Sequence, residues 1–148
     1  MKYLPIENQL FIQNRALFFN KMEGNAIAIF NSNDIMPTNA DGTMPFRQNN
    51  DLFWLSGVDQ EESVLVIFPN HPDENMREVL FLKETNEHIA IWEGAKLTKD
   101  GAFKASGIKT VFWLDELENK LDEMISKCDS IYLNKNIHSR SASDVQTR

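Results

Sequence analysis

The sequence predicts one α/β domain built on a mixed β-sheet, and three observations predict it. The chain has 148 residues, 42% hydrophobic and 25% charged, which suits one domain with one core. Short apolar runs alternate along it with stretches of helical spacing. Two of those runs, residues 63–68 and 79–82, are parted by little more than a polar turn. They should pair as a hairpin, which adds antiparallel pairing to the sheet.

The elements follow in order. Residues 8–22 read as an amphipathic helix, with Ile6, Leu10, Leu17 and Met22 near one face, Phe11 and Phe18 beside them, and Arg15 and Lys21 on the outer face. Gly24 offers a left-handed stop. Residues 26–30, Ala-Ile-Ala-Ile-Phe, have the continuous apolar character of a strand buried on both faces. Residues 31–50, rich in Asn, Asp, Pro, Gly and Thr, read as a loop whose length is itself a sign of function. Residues 51–55 are a short aromatic segment stopped by Ser56-Gly57. Residues 63–68 are the clearest buried strand, ended by Pro69, and 79–82 are the next.

Residues 87–94 fix no period. Residues 98–106 suit a short helix, with Thr98 as cap and Gly107 as stop. Residues 108–112 read as a strand. Asp115, with Glu118 three residues on, resembles a capping box, and Leu114, Leu117, Leu121, Met124 and Cys128 repeat at helical spacing behind it. Residues 130–133 close the series as a strand. The organisation expected is a domain over 1–133 and a polar, Ser-rich linker over 134–148. No internal repeat is visible.

The net charge is −7. Nucleic acid and anionic membrane are attracted by basic clusters, and none occurs, so neither partner is expected. A single cysteine excludes an internal disulfide and suits a reducing compartment. The first residues lack a signal-peptide core, and no apolar run reaches bilayer length. A cytoplasmic location is the expectation.

No complete catalytic set is apparent. His71, His88 and His138 lack the three- or four-residue spacing of a helical metal site and read as ordinary surface or loop histidines. Glu61-Glu62 and Glu116 with Glu118 read as solvated faces or helix starts. Cys128 completes an apolar stripe and reads as core filler. The six glycines are dispersed, so no phosphate-cradling loop forms.

Residues 39–51 stand apart, because polar hydrogen-bonding groups are strung between aromatics there. Arg47 and Asp51 suit a charge-assisted tie across the loop. Asp41 beside Gly42 fits the start of a turn as well as a contact to a ligand. Trp92, before Glu93-Gly94, fits the core or an aromatic wall for a ligand.

Residues 46–58, Phe-Arg-Gln-Asn-Asn-Asp-Leu-Phe-Trp-Leu-Ser-Gly-Val, resemble the Arg-Gln-x-x-Asp-aromatic-aromatic-Leu-Thr-Gly-Phe signature in the N-terminal domain of Xaa-Pro aminopeptidases. Asn14-Arg15-Ala16-Leu17 with Met22 resembles that family's opening helix. Residues 61–67 resemble the acidic turn and strand that follow the signature. Residues 91–97, Ile-Trp-Glu-Gly-Ala-Lys-Leu, resemble its Ile-Trp-x-Gly-Arg-Arg-Leu stretch. These motifs cover nearly the whole chain in the right order. Ser56 for Thr and Val58 for an aromatic are mild departures, whereas Ala95-Lys96 in place of Arg-Arg removes two guanidinium groups.

The resemblance implies a mixed sheet of about six strands flanked by helices on both faces. It implies a structural role for Arg47, Gln48, Asp51 and Gly57, and a place at the substrate-pocket rim for Asp41 and Trp92. An Asp there would pair with a peptide's N-terminal ammonium, and a Trp would pack on a proline ring. It implies no catalytic residue and no metal in this chain. Two manganese ions are expected in a C-terminal catalytic domain of pita-bread fold beyond Arg148, which removes an N-terminal residue preceding proline. That domain, further copies of the chain and a proline-containing peptide are the partners implied. Prolidase and creatinase relatives carry a similar domain. Inactive pita-bread proteins use one for peptide or protein binding, which is the alternative function.

Overall fold

Each apolar run becomes a strand. The computed structural model describes residues 4–134. In it β1 (Ala26–Asn31), β2 (Ser63–Ile67), β3 (Glu78–Leu82), β4 (Thr110–Trp113) and β5 (Ser130–Leu133) form one sheet in the order β4-β3-β2-β1-β5. The sheet has five strands among the described residues, one fewer than the resemblance implies. β2 pairs antiparallel with β3, from Ser63 opposite Leu82 to Ile67 opposite Glu78, which is the expected hairpin. β1 also pairs antiparallel with β2. β5 and β4 join parallel to β1 and β3 at the two edges, so the sheet is mixed.

Strand alternation sends the apolar side chains to two cores. Ala28, Phe30, Leu65, Ile67, Leu80 and Leu82 meet Leu52 and Leu55 of α2 (Asn50–Ser56) and Ala102 of α4 (Lys99–Ser106). Phe18 and Phe19 of α1 (Asn8–Phe19) pack on the same cluster. On the opposite face Ile27, Ile29, Val64, Val66, Val79 and Phe81 meet Met124 of α5 (Leu117–Ile125). Full burial of each large side chain contributes about 1.5–3 kcal/mol, and the three inner strands are buried almost throughout. That explains why their sequences carry no polar alternation.

Several local expectations hold. Thr98 caps α4 by accepting from the Gly101 amide, and Gly107 ends it at φ 75. Residues 32–49 form no helix or strand apart from an isolated bridge between Pro37 and Thr43.

Others need correction. The inward face of α1 is Phe11, Asn14 and Arg15, while Leu10 and Leu17 are exposed. Arg15 was expected outside and is completely buried, because polar partners wait for it there. α1 ends at Phe19, so Gly24, at φ 70, serves the later turn into β1 and not a helix stop. Asp115 caps nothing: Leu114–Glu116 is a 3₁₀ turn, and α5 starts at Leu117 without a side-chain cap. Cys128 lies past the end of α5, packed against the second core as filler. The segment without a fixed period is a short helix, α3 (Glu87–Glu93), started by the Asn86 side chain. The linker expected over 134–148 falls, from 135 on, outside the described residues.

Candidate functional site

The signature segment is held by neutral amides. Asn49 caps α2, its Oδ1 accepting from the amides of Asp51 at 3.0 Å and Leu52 at 3.2 Å. Gln48 Nε2 donates to the carbonyls of Val58 at 3.0 Å and Gln60 at 2.8 Å. Its Oε1 accepts from the Asn49 amide at 2.8 Å. One side chain thereby fastens the loop before α2 to the turn after it. The expected charged tie is absent: among the described residues no ion pair joins Arg47 to Asp51. Arg47 is exposed and contributes its carbonyl, which accepts from Asn33 Nδ2 at 3.0 Å. Asp51 sits in the first turn of α2, where the helix dipole favours negative charge.

Gly57 ends α2 in the left-handed conformation, φ 68, and its amide donates to the Phe53 carbonyl at 2.7 Å. A Cβ there would stand 2.2 Å from the Phe11 ring. α4 ends in the same way. Ser56 and Ser106 each donate Oγ–H four residues back, at 2.7 Å, and each accepts from the amide two residues on. Val58 and Ile108 then enter the core. Arg15 joins the two helix ends, Nη1 donating to the carbonyls of Leu55 at 2.8 Å and Ser106 at 2.9 Å. Its Nε lies 3.1 Å from Glu78 Oε2 as an ion pair, without the alignment of a hydrogen bond.

The two proposed rim residues sit on separate arms. Asp41 lies inside the turn 39–42 and not at its start. The Gly42 amide donates to the Asn39 carbonyl at 3.1 Å, and Ala40 holds φ 50. The Asp41 side chain is exposed. Trp92 is on α3, a helix with no buried residue, and is 80% exposed. No hydrogen bond, ion pair or ring contact joins Asp41 to Trp92 among the described residues. The arms meet instead through the turn at residues 60–62. Gln60 accepts Gln48 at its carbonyl and the Leu97 amide at Oε1, 2.7 Å away. Glu61 pairs with Lys96. Lys83 pairs with Glu62 at 3.1 Å and with Glu93 at 3.0 Å.

Glu61 is therefore no solvated face; its side chain is 13% exposed. Burial pushes its carboxyl up, but hydrogen bonds from Lys96 and from its own backbone amide, with the charge of Lys96, outweigh burial and leave it below the usual value of 4.5. Lys96 thus keeps a partner although Ala95-Lys96 departs from the family's Arg-Arg.

His71 is a loop histidine, as expected, but a buried one, stacked edge-on against Phe68 with its Nδ1 taking the Asp73 amide at 3.1 Å. His88 is exposed on α3, and His138 lies outside the described residues. Among the described residues no three His, Cys, Asp or Glu side chains are grouped to hold a metal ion. Among the described residues no helix is long and apolar enough to cross a membrane. Arg15, Asn86 and Gln60 were not among the site residues expected from the sequence. For Arg15 a signal was present: it stands four residues from Phe11 and three from Phe18, on the apolar side of its helix.

These observations define a mixed α/β domain whose candidate side chains project on a loop and a short helix. The chain belongs to the aminopeptidase P N-terminal domain family, whose model matches residues 11–132. It is 28% identical over 128 residues to the Xaa-Pro aminopeptidase of Escherichia coli K12, covering 86% of this chain and 29% of that protein. To human Xaa-Pro aminopeptidase 3 it is 25% identical over 103 residues, covering 68% and 19%. Aminopeptidase PepP of Pseudomonas aeruginosa shares the fold, with a TM-score of 0.82 at 24% identity over 93% of this chain and 31% of that one. A putative aminopeptidase P from Bacillus anthracis gives 0.83 at 23% identity, covering 96% and 34%. The chain thus spans about three-tenths of the length of these bacterial relatives and about one-fifth of the human one.

Proposed function

We propose that this domain is the accessory part of a metal-dependent Xaa-Pro aminopeptidase, shaping the rim of a pocket whose chemistry a separate catalytic domain performs. The observation that carries the reading is the family match over residues 11–132. It is supported by the placement of Trp92. An indole 80% exposed, on a helix with no buried residue, has no packing role to explain it and offers a stiff apolar face to a proline ring. Asp41, exposed on its turn, would meet the substrate's N-terminal ammonium.

The described residues offer no ligand set for a metal, so manganese would be held by the catalytic domain. There it would supply an activated water for hydrolysis. One solved relative is described as zinc-substituted Escherichia coli aminopeptidase P in complex with product, and another as bound to the inhibitor Pro-Leu. Oligomer formation through this domain and a cytoplasmic location belong to the same reading.

The test is a chimaera joining this chain to the catalytic domain of the Escherichia coli enzyme. Trp92→Ala should lower kcat/KM for a proline-second peptide about tenfold, which is about 1.4 kcal/mol of transition-state stabilisation. The variant's folding stability should stay within about 0.5 kcal/mol. An unchanged kcat/KM would remove Trp92 from the rim.

A further inference from the structure

The two arms are separate in sequence. α3 leaves the sheet after β3 and has no buried residue of its own; it returns at Leu97, which packs on the first core. Polar ties at its two feet add to that contact. Lys83, at the outgoing foot, bridges Glu62 and Glu93. At the returning foot Lys96 pairs with Glu61, and the Leu97 amide donates to Gln60 Oε1 at 2.7 Å. All three acceptors, Gln60, Glu61 and Glu62, stand side by side in one turn. The third, Glu62, holds φ 51, a conformation an ordinary residue adopts only when its surroundings impose it.

That turn is also the footing of the other arm. The carbonyl of Gln60 accepts Gln48 Nε2 at 2.8 Å and Ser63 Oγ at 2.9 Å. Gln48 closes the loop that contains Asp41. Gln60 is 6% exposed, and its contacts reach both arms and the start of β2. Its backbone carbonyl takes two of these hydrogen bonds and its side-chain Oε1 the third, from Leu97, while Nε2 is buried without a partner. Removing Oε1 would leave the Leu97 amide unpaired away from water.

We infer that Gln60, backed by the Lys96–Glu61 pair, is a positioning residue that fixes the Trp92 helix relative to the Gln48 signature. It sets the spacing of the two rim arms without touching a ligand itself. This rests on the reading of Trp92 as a rim residue, but its test needs no substrate.

Backbone ¹⁵N relaxation of the 148-residue chain reads the effect directly, with Gln60→Met removing the acceptor at nearly constant volume and Lys96→Met removing the ion pair. In the unaltered chain, residues 87–94 should show order parameters near about 0.85. In the double variant they should fall below about 0.6, while the strands stay rigid. Each single variant should show a partial fall, which keeps the test decisive if the double variant does not fold. The inference is overturned if α3 stays as rigid as the strands in every variant, if it is already mobile in the unaltered chain, or if strands and α3 loosen together. Loss of this inference would leave the rim reading standing, since kcat/KM of Trp92→Ala tests that reading separately.

Discussion

Arg15 and Ser106 are joined by a 2.9 Å hydrogen bond from a fully buried guanidinium to the carbonyl that closes α4. The same Nη1 reaches the carbonyl of Leu55 near the end of α2. Helix C-termini carry partial negative charge, so two helix ends and Glu78 together compensate one buried cation. The expected hierarchy is specific. Arg15→Met strands two carbonyls and should cost about 3–5 kcal/mol in urea unfolding. Glu78→Gln leaves both helix ends in place and should cost about 1 kcal/mol. Equal losses would show that the carboxylate, and not the helix ends, balances the arginine.

Gly57 and Gly107 end those same two helices, and space as well as conformation constrains them. A Cβ at Gly57 would enter the Phe11 ring, and one at Gly107 would lie 2.6 Å from Ile12. Gly24 has the same left-handed φ with nothing within 4 Å. Gly24→Ala should therefore cost about 1 kcal/mol, the price of the backbone conformation alone. Gly57→Ala and Gly107→Ala should each cost about 2–4 kcal/mol, because overpacking against α1 is added. Thermal unfolding of the three variants checks the order, and three equal losses would contradict the close packing.

Glu61 makes the fold sensitive to acid. Its carboxyl is held below the ordinary value of 4.5 in the folded chain, so the folded state binds its proton less readily than the unfolded one. The resulting stability is fully present above pH 4.5 and is lost as pH falls through the lowered value. Unfolding followed from pH 7 to pH 3 should show the unaltered chain about 1 kcal/mol more stable than Glu61→Gln at the upper end. The difference should shrink below pH 4.5. A gap that widens on acidification would reverse the sign of the argument.

Much of the fold was legible because the strands β1, β2 and β3 are continuous apolar runs, and because Thr98 and Gly107 announce the ends of α4 locally. The face of α1 was misread because Arg15 is buried by partners contributed from residues 55, 78 and 106. Those partners are distant in sequence, although the spacing of Arg15 from Phe11 and Phe18 already put it on the apolar side of the helix. The start of α5 was misplaced because the 3₁₀ turn at Leu114–Glu116 carries the acidic residues that a capping box also favours. The signature over residues 46–58 and the Trp92 segment were visible as motifs. The Gln60 turn that ties them was not, because a buried glutamine is written like any polar loop residue.

The central claim is that this domain shapes a pocket but cannot complete the chemistry. The most direct measurement is cleavage of a proline-second peptide by the chain alone in the presence of manganese, beside the same chain joined to an aminopeptidase P catalytic domain. The account predicts turnover only in the joined form. Clear turnover by the chain alone would contradict it.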